Sequence, residues 1–163
     1  MPDKSKKAPI NHITAYTDGS ADSTQQSAAA GLVVVNGKES KVMHMNCQYL
    51  KMANSYEGEV YGIKMAVEWF RKSEYYLNKR KRINKLLIKC DNKGAVSMFN
   101  KLKRTQKLDK EAKAQFLWKS LMGKTDRVDI KWVKAHNGNP YNEVADYLAR
   151  SCREKVEATY EKE

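Results

Sequence analysis

Three strand-like stretches precede the first helical stretch, and each later strand-like stretch is separated from its predecessor by a helical one. Antiparallel neighbours can be joined by a tight turn, whereas parallel neighbours need a long crossover, so this order specifies a mixed α/β sheet covered by helices. His12 to Thr17 reads as a strand that stops at Asp18-Gly19-Ser20, and Ala30 to Val35 reads as a second. Asn36-Gly37 is suited to a two-residue turn with positive φ and predicts a hairpin into a third strand at about Ser40 to Tyr49. Glu57 to Leu77 carries Val60, Ile63, Val67 and Phe70 at helical spacing with no proline, and Gly62 and Ala66 permit close approach to a sheet. Leu86 to Cys90 is a short apolar strand ending at Asp91, where a helix is expected to begin; Gly94 to Phe99 is weakly patterned. Ala112 to Leu121 predicts a helix with Phe116, Leu117 and Leu121 inward, and Val128 to Val133 predicts the last strand. From Trp132 a Gly and Pro loop leads to a final helix, with Asn142 as its N-cap and Val144, Ala145, Leu148, Ala149 and Cys152 on one apolar face.

At 163 residues the chain has the length of one domain: a basic disordered N-terminus at 1–11, a folded domain at 12–153 and a charged tail at 154–163 that is expected to fray. A formal charge of +12 points to a polyanionic partner. Lys101 to Lys110 is strongly basic, and Lys79, Arg80, Lys81 and Arg82 form a basic exit from the long helix that reads equally as a phosphate-binding handle or as a helix C-cap and solvated surface. Cys47, Cys90 and Cys152 are odd in number and far apart, which argues against a disulfide framework or zinc site and fits a reducing compartment. No apolar run approaches membrane-spanning length, and Met1 to Pro9 lacks the core of a signal peptide, so the expectation is a cytoplasmic protein without membrane contact. Trp69, Trp118 and Trp132 lie on patterned elements and are expected in the core.

The acidic residues fall at related places. Asp18 closes the first predicted strand, Asp91 the fourth, Glu59 lies in the first turn of the long helix and Asp146 in the first turn of the last. Singly, each has an ordinary explanation, as a turn residue, a cap or a partner of the helix dipole. Jointly, they can converge where parallel strands end side by side, forming an oxygen-rich donor set for hard cations, with His136 on the adjoining loop.

Thr17-Asp18-Gly19-Ser20, Glu59 with Gly62 and Ala66, Cys90-Asp91-Asn92, and the run from His136 through Pro140, Asn142 and Glu143 to Asp146 resemble, in this order, the motifs of type 1 ribonuclease H. The resemblance covers roughly Ile13 to Arg150 and makes 12–153 a ribonuclease H domain. It implies a ribonuclease H-like fold, a five-stranded mixed sheet in the order 3-2-1-4-5 flanked by helices. It further implies endonucleolytic hydrolysis of the RNA strand of RNA–DNA hybrids by a two-metal-ion mechanism, leaving 5′-phosphate and 3′-hydroxyl ends. Asp18, Glu59, Asp91 and Asp146 would hold two Mg²⁺ ions, for which Mn²⁺ can substitute. Within that set, the resemblance gives Asp18 to both ions, Glu59 and Asp91 to the leaving-group side, Asp146 to the nucleophile side, and His136 to proton relay or product release. Gly19, Ser20, Asn54, Asn92 and Asn142 are the corresponding substrate contacts, and the protein is expected to act as a monomer. Asn54 lies one residue farther from Glu59 than in the family pattern, and 101–110 is too short for a full basic protrusion. Two alternatives are a non-cleaving nucleic-acid-binding module of the same fold and a domain derived from a reverse transcriptase or mobile element.

Overall fold

An uninterrupted run of small and then branched aliphatic residues in Ser27–Asn36 builds a strand, β2, that is buried along almost its whole length. A strand covered on both faces needs a layer on each side, and two helices supply them. The computed structural model describes residues 12–24, 26–37, 40–78 and 84–161; the expectations for residues 1–11 and for Lys79, Arg80, Lys81 and Arg82 lie outside these. β1 (His12–Asp22), β2 and β3 (Lys41–Lys51) form an antiparallel meander. β4 (Lys85–Cys90) joins β1 in parallel, β5 (Val128–Trp132) joins β4 in parallel, and the sheet has the order β3-β2-β1-β4-β5.

α1 (Ser55–Lys72) packs Val60, Ile63, Ala66, Val67 and Phe70 into the larger core, together with residues of α3 (Lys93–Thr105) and α4 (Gln115–Leu121). α5 (Pro140–Glu161) covers the opposite side through Ala145, Val144 and Leu148 against Tyr16, Val33 and Val35. α5 crosses β2 at Gly31, where a Cβ would stand 2.2 Å from the Ala145 carbonyl oxygen. That approach admits only glycine.

Several predicted boundaries move. β1 does not stop at Asp18: pairing with β4 ends at Tyr16, but pairing with β2 continues to Asp22, so Asp18 sits within a strand that has outrun one neighbour. The predicted helix 57–77 begins earlier, at Ser55, and divides at Ser73, whose hydroxyl donates to the Phe70 carbonyl at 2.6 Å; α2 (Glu74–Leu77) follows. α3 runs well past Phe99 and takes up the first half of the basic stretch, with Lys103 paired to Asp129 at 2.7 Å. In α4, Trp118 and Leu121 are buried and Phe116 is 82 % exposed, contrary to expectation. Two residues at about 100° each turn Phe116 to the far side of the helix from Trp118.

The last helix is capped by Asn139 rather than Asn142: its side chain accepts from the Tyr141 amide at 2.9 Å, and Pro140 occupies the first helical position, where a missing N–H costs nothing. The tail expected to fray instead continues the helix through Glu161. It is held by buried Glu157, which accepts from Ser27 Oγ at 2.6 Å and from Arg153 Nη1 at 2.9 Å, while Arg153 Nε donates to Ser20 Oγ at 3.0 Å. Removing one partner of a buried ion pair strands the other, so Arg153→Met should cost about 3–5 kcal/mol of folding stability. Adding Glu157→Leu should return most of that loss in urea unfolding; simple additivity of the two substitutions would refute the pairing.

Candidate active site

Asp18 and Glu59 meet because α1 lies almost in contact with β1. The Gly19 N–H donates to Asp18 Oδ1 at 2.8 Å and to Glu59 Oε1 at 3.2 Å. A Cβ on Gly19 would lie 2.7 Å from the Glu59 amide nitrogen, so no other residue permits this contact without displacing the helix. Asn54 fixes the start of that helix: its Oδ1 accepts from the Glu57 amide at 2.8 Å and Glu57 Oε1 accepts from the Asn54 amide at 3.2 Å, a reciprocal capping box. Glu57 therefore belongs to the first turn and Glu59 to the second, where it is 7 % exposed. The Cys90 thiol donates to Glu59 Oε2 at 3.8 Å.

Asp91 follows the end of β4 directly and Asn92 caps α3, its Oδ1 accepting from the Ala95 amide at 2.9 Å. Glu143 occupies the first turn of α5, which puts Asp146 in the second, with Arg150 Nη1 3.8 Å from its carboxylate. Both acidic helix positions thus lie a turn deeper than predicted, since both caps lie earlier in the sequence. Thr17, Asp18, Asp91, Lys134, Ala135, His136, Asn142, Glu143 and Asp146 line one concavity. Donor atoms of Glu59, Cys90 and Asp91 lie within 4.8 Å of one another, as do those of His136, Glu143 and Asp146. His136 stands on the loop with φ 52°, its side chain 73 % exposed and Nδ1 3.5 Å from Glu143 Oε1.

Burial, and then mutual charge, raises the affinity of Asp18, Glu59 and Asp91 for protons. Burial, then the charge of Asp91, lifts Asp18 from 3.8 to about 7. Burial, then Asp18 and Asp91, lifts Glu59 from 4.5 to about 9. Asp91 is raised by burial and by Asp146, and burial followed by Glu59 raises the Cys90 thiol. A group of carboxylates that holds protons for want of compensating charge is the donor set that a hard divalent cation satisfies, so these residues fit such an ion.

The sequence-derived substrate contacts are engaged within the fold. Gly19 holds the two acids, Ser20 accepts from Arg153, and Asn54 and Asn92 cap helices. Asn142 Nδ2 donates to Asn137 Oδ1 at 3.0 Å. Trp118 is buried and Trp69 packs against the core, stacked on His44, but Trp132 is 39 % exposed beside Asp91, a place its strand pattern did not indicate. Asn139 also escaped prediction, although Asn-Pro before a helical run is a cap signal.

The RNase H family model matches residues 10–154. The ribonuclease H of Wolbachia sp. subsp. Drosophila simulans (strain wRi) is 49% identical over 45 residues, 26% of this chain and 31% of that protein, so the chain matches about a third of its length. Among solved structures, LC11-RNase H1, isolated from compost by a metagenomic approach, aligns with a TM-score of 0.68 at 17% identity over 90% of this chain and 99% of that one. The same enzyme in complex with an RNA/DNA hybrid aligns at 0.65, with 17% identity over 88% of this chain and 98% of that one. The prototype foamy virus protease-reverse transcriptase aligns at 0.65 with 21% identity, over 90% of this chain but 21% of that one. These likenesses are of fold.

The raised acids set a pH dependence. The fold retains protons up to about 7 on Asp18 and about 9 on Glu59, while the unfolded chain releases them near 3.8 and 4.5. Between these limits the folded state binds more protons, so these two groups make the metal-free protein less stable as pH rises from about 4 to 9. Asp18→Asn should flatten that slope in thermal unfolding with a chelator present. A variant as pH-sensitive as the parent would show that the fold does not raise the proton affinity of Asp18.

Proposed function

The chain belongs to the RNase H family, and from that membership we propose that it is an endonuclease hydrolysing the RNA strand of RNA–DNA hybrids to leave 5′-phosphate and 3′-hydroxyl ends. The observation that carries this reading is the convergence of carboxylates from β1, α1, the end of β4 and α5: Asp18, Asp91 and Asp146 line one concavity, and Glu59 places a donor atom within 4.8 Å of one on Asp91. The existence of a hybrid complex of LC11-RNase H1 supports the same substrate class here.

Asp18, Glu59, Asp91 and Asp146 would hold two Mg²⁺ ions, with Mn²⁺ able to replace them. Such cations would supply Lewis-acid chemistry there, activation of a water and compensation of charge developing on the phosphate. The chain's own contribution is orientation: the Gly19 N–H and the Cys90 thiol hold buried Glu59, and Arg150 lies beside Asp146. His136, exposed and next to Glu143, can take or give a proton at an imidazole nitrogen without displacing a buried group. Lys134 at the rim and the charge of +12 favour approach of a polyanion. A non-cleaving module is disfavoured, because an uncompensated carboxylate cluster repels phosphate. An origin of the domain within a reverse transcriptase or mobile element would carry the same chemistry. The proposed setting is the cytoplasm, with the protein acting as a monomer; among the described residues no helix is long and apolar enough to cross a membrane.

In Mg²⁺, purified protein should cut the RNA strand of a labelled hybrid and spare single-stranded RNA and duplex DNA. Asp18→Asn, Glu59→Gln and Asp91→Asn should each abolish cutting, whereas Glu57→Gln, which alters only a cap, should not. His136→Ala should slow turnover by about 10²–10⁴-fold while preserving the metal requirement. Full activity of any of the three carboxylate variants would overturn the reading.

A further inference from the structure

Trp132 closes β5, and its ring is half-exposed at the edge of the acidic cluster. The last rung of the parallel β4–β5 pairing sets Cys90 opposite Trp132, and the Val133 amide donates to the Cys90 carbonyl at 3.0 Å. Beyond that rung β4 has ended, and α3 does not begin until after its cap, Asn92. Asp91 therefore occupies a one-residue gap between strand and cap. Across this gap the indole Nε1–H donates to the Asp91 carbonyl oxygen at 3.0 Å. The Lys93 ammonium, on the first residue of α3, sits 4.4 Å from the centroid of the same ring, within cation–π range. One aromatic side chain thus grips the residues on both sides of Asn92, and through them the backbone that aims Asp91.

We propose that Trp132 is a positioning residue: its indole N–H fixes the Asp91 peptide, and so the direction in which the Asp91 carboxylate enters the acidic cluster, and thereby sets the site's affinity for a divalent cation. This rests on the reading of Asp91 as a metal ligand. Outer partners of metal-binding residues typically alter affinity when removed, because the ligand loses its fixed orientation rather than its charge. Freedom at Asp91 falls on the cation and not on nucleic-acid contacts elsewhere.

Trp132→Phe keeps an aromatic face for Lys93 and deletes the N–H together with the pyrrole ring that carries it. Titration of the full chain with Mn²⁺ in a calorimeter should show affinity weakened by about 10-fold relative to the parent. Turnover of hybrid at low Mg²⁺ should fall and be regained at high Mg²⁺, with KM for hybrid unchanged. A purely structural role would move the chelator-treated melting temperature and leave the Mn²⁺ affinity alone. Asp91→Asn, titrated in parallel, separates the role of Asp91 as ligand from that of Trp132. If it binds Mn²⁺ as the parent does, the ligand reading itself fails. If it loses binding while Trp132→Phe retains parental affinity, the positioning role fails alone. An increase in KM for hybrid with parental Mn²⁺ affinity would make Trp132 a substrate-stacking surface and would likewise overturn the proposal.

Discussion

A single peptide N–H, that of Gly19, is shared by the carboxylates of Asp18 and Glu59. Two acids brought together in a buried place repel one another, and the N–H offsets only part of that cost, as their raised proton affinities record. The contact requires α1 to press against β1 where Gly19 and Gly58 face each other without side chains. Once α1 is held there, Val60, Ile63, Val67 and Phe70 necessarily lie over the sheet, and α3 and α4 complete the same core. The larger core and the acidic cluster are therefore two results of one helix placement.

The opposite face is organised by α5. Its passage over Gly31 sets its height, and the Arg153, Glu157 and Ser27 network ties its later turns to the far end of the first hairpin. Between these two fixings, Asp146 faces the concavity that Asp18 and Asp91 also line. The parallel arrangement of β1, β4 and β5 supplies the remaining geometry, since β4 delivers Asp91 next to the point where β1 carries Asp18 beyond it. Asp18, Glu59 and Asp146 thus sit on regular elements and Asp91 between the end of β4 and the cap of α3, while His136 is on a loop and exposed. This division suits a site in which charge must be fixed and a proton carrier must be able to move.

The sequence displayed element order, the mixed sheet and the four acids clearly, because these depend on local periodicity and on residues adjacent to strand ends. It obscured features decided by distant partners. Gly19 and Ser20 carry a local turn signal, yet β1 continues because β2 still pairs with it. Residues 154–161 look like a solvated charged run, yet Glu157 is buried against Ser27, 130 positions away. Asn54 and Asn92 have the composition of substrate contacts and of helix caps alike, and only the geometry shows their oxygens accepting from helix amides. Phe116 was misassigned by register, because choosing Trp118 and Leu121 as the buried pair turns it outward. Trp132 carries an aromatic signal for core packing, and its exposure follows from the sheet ending beside it.

Without divalent cations, buried Glu59 and Asp18 hold protons more tightly than free carboxylates do. Calorimetric titration of Mg²⁺ into the protein at about pH 8, in buffers of different ionisation enthalpy, measures the protons displaced per binding event. Net proton release is expected, with Glu59 the main source, and its loss in Glu59→Gln. Binding with no proton release, or release undiminished in that variant, would contradict it.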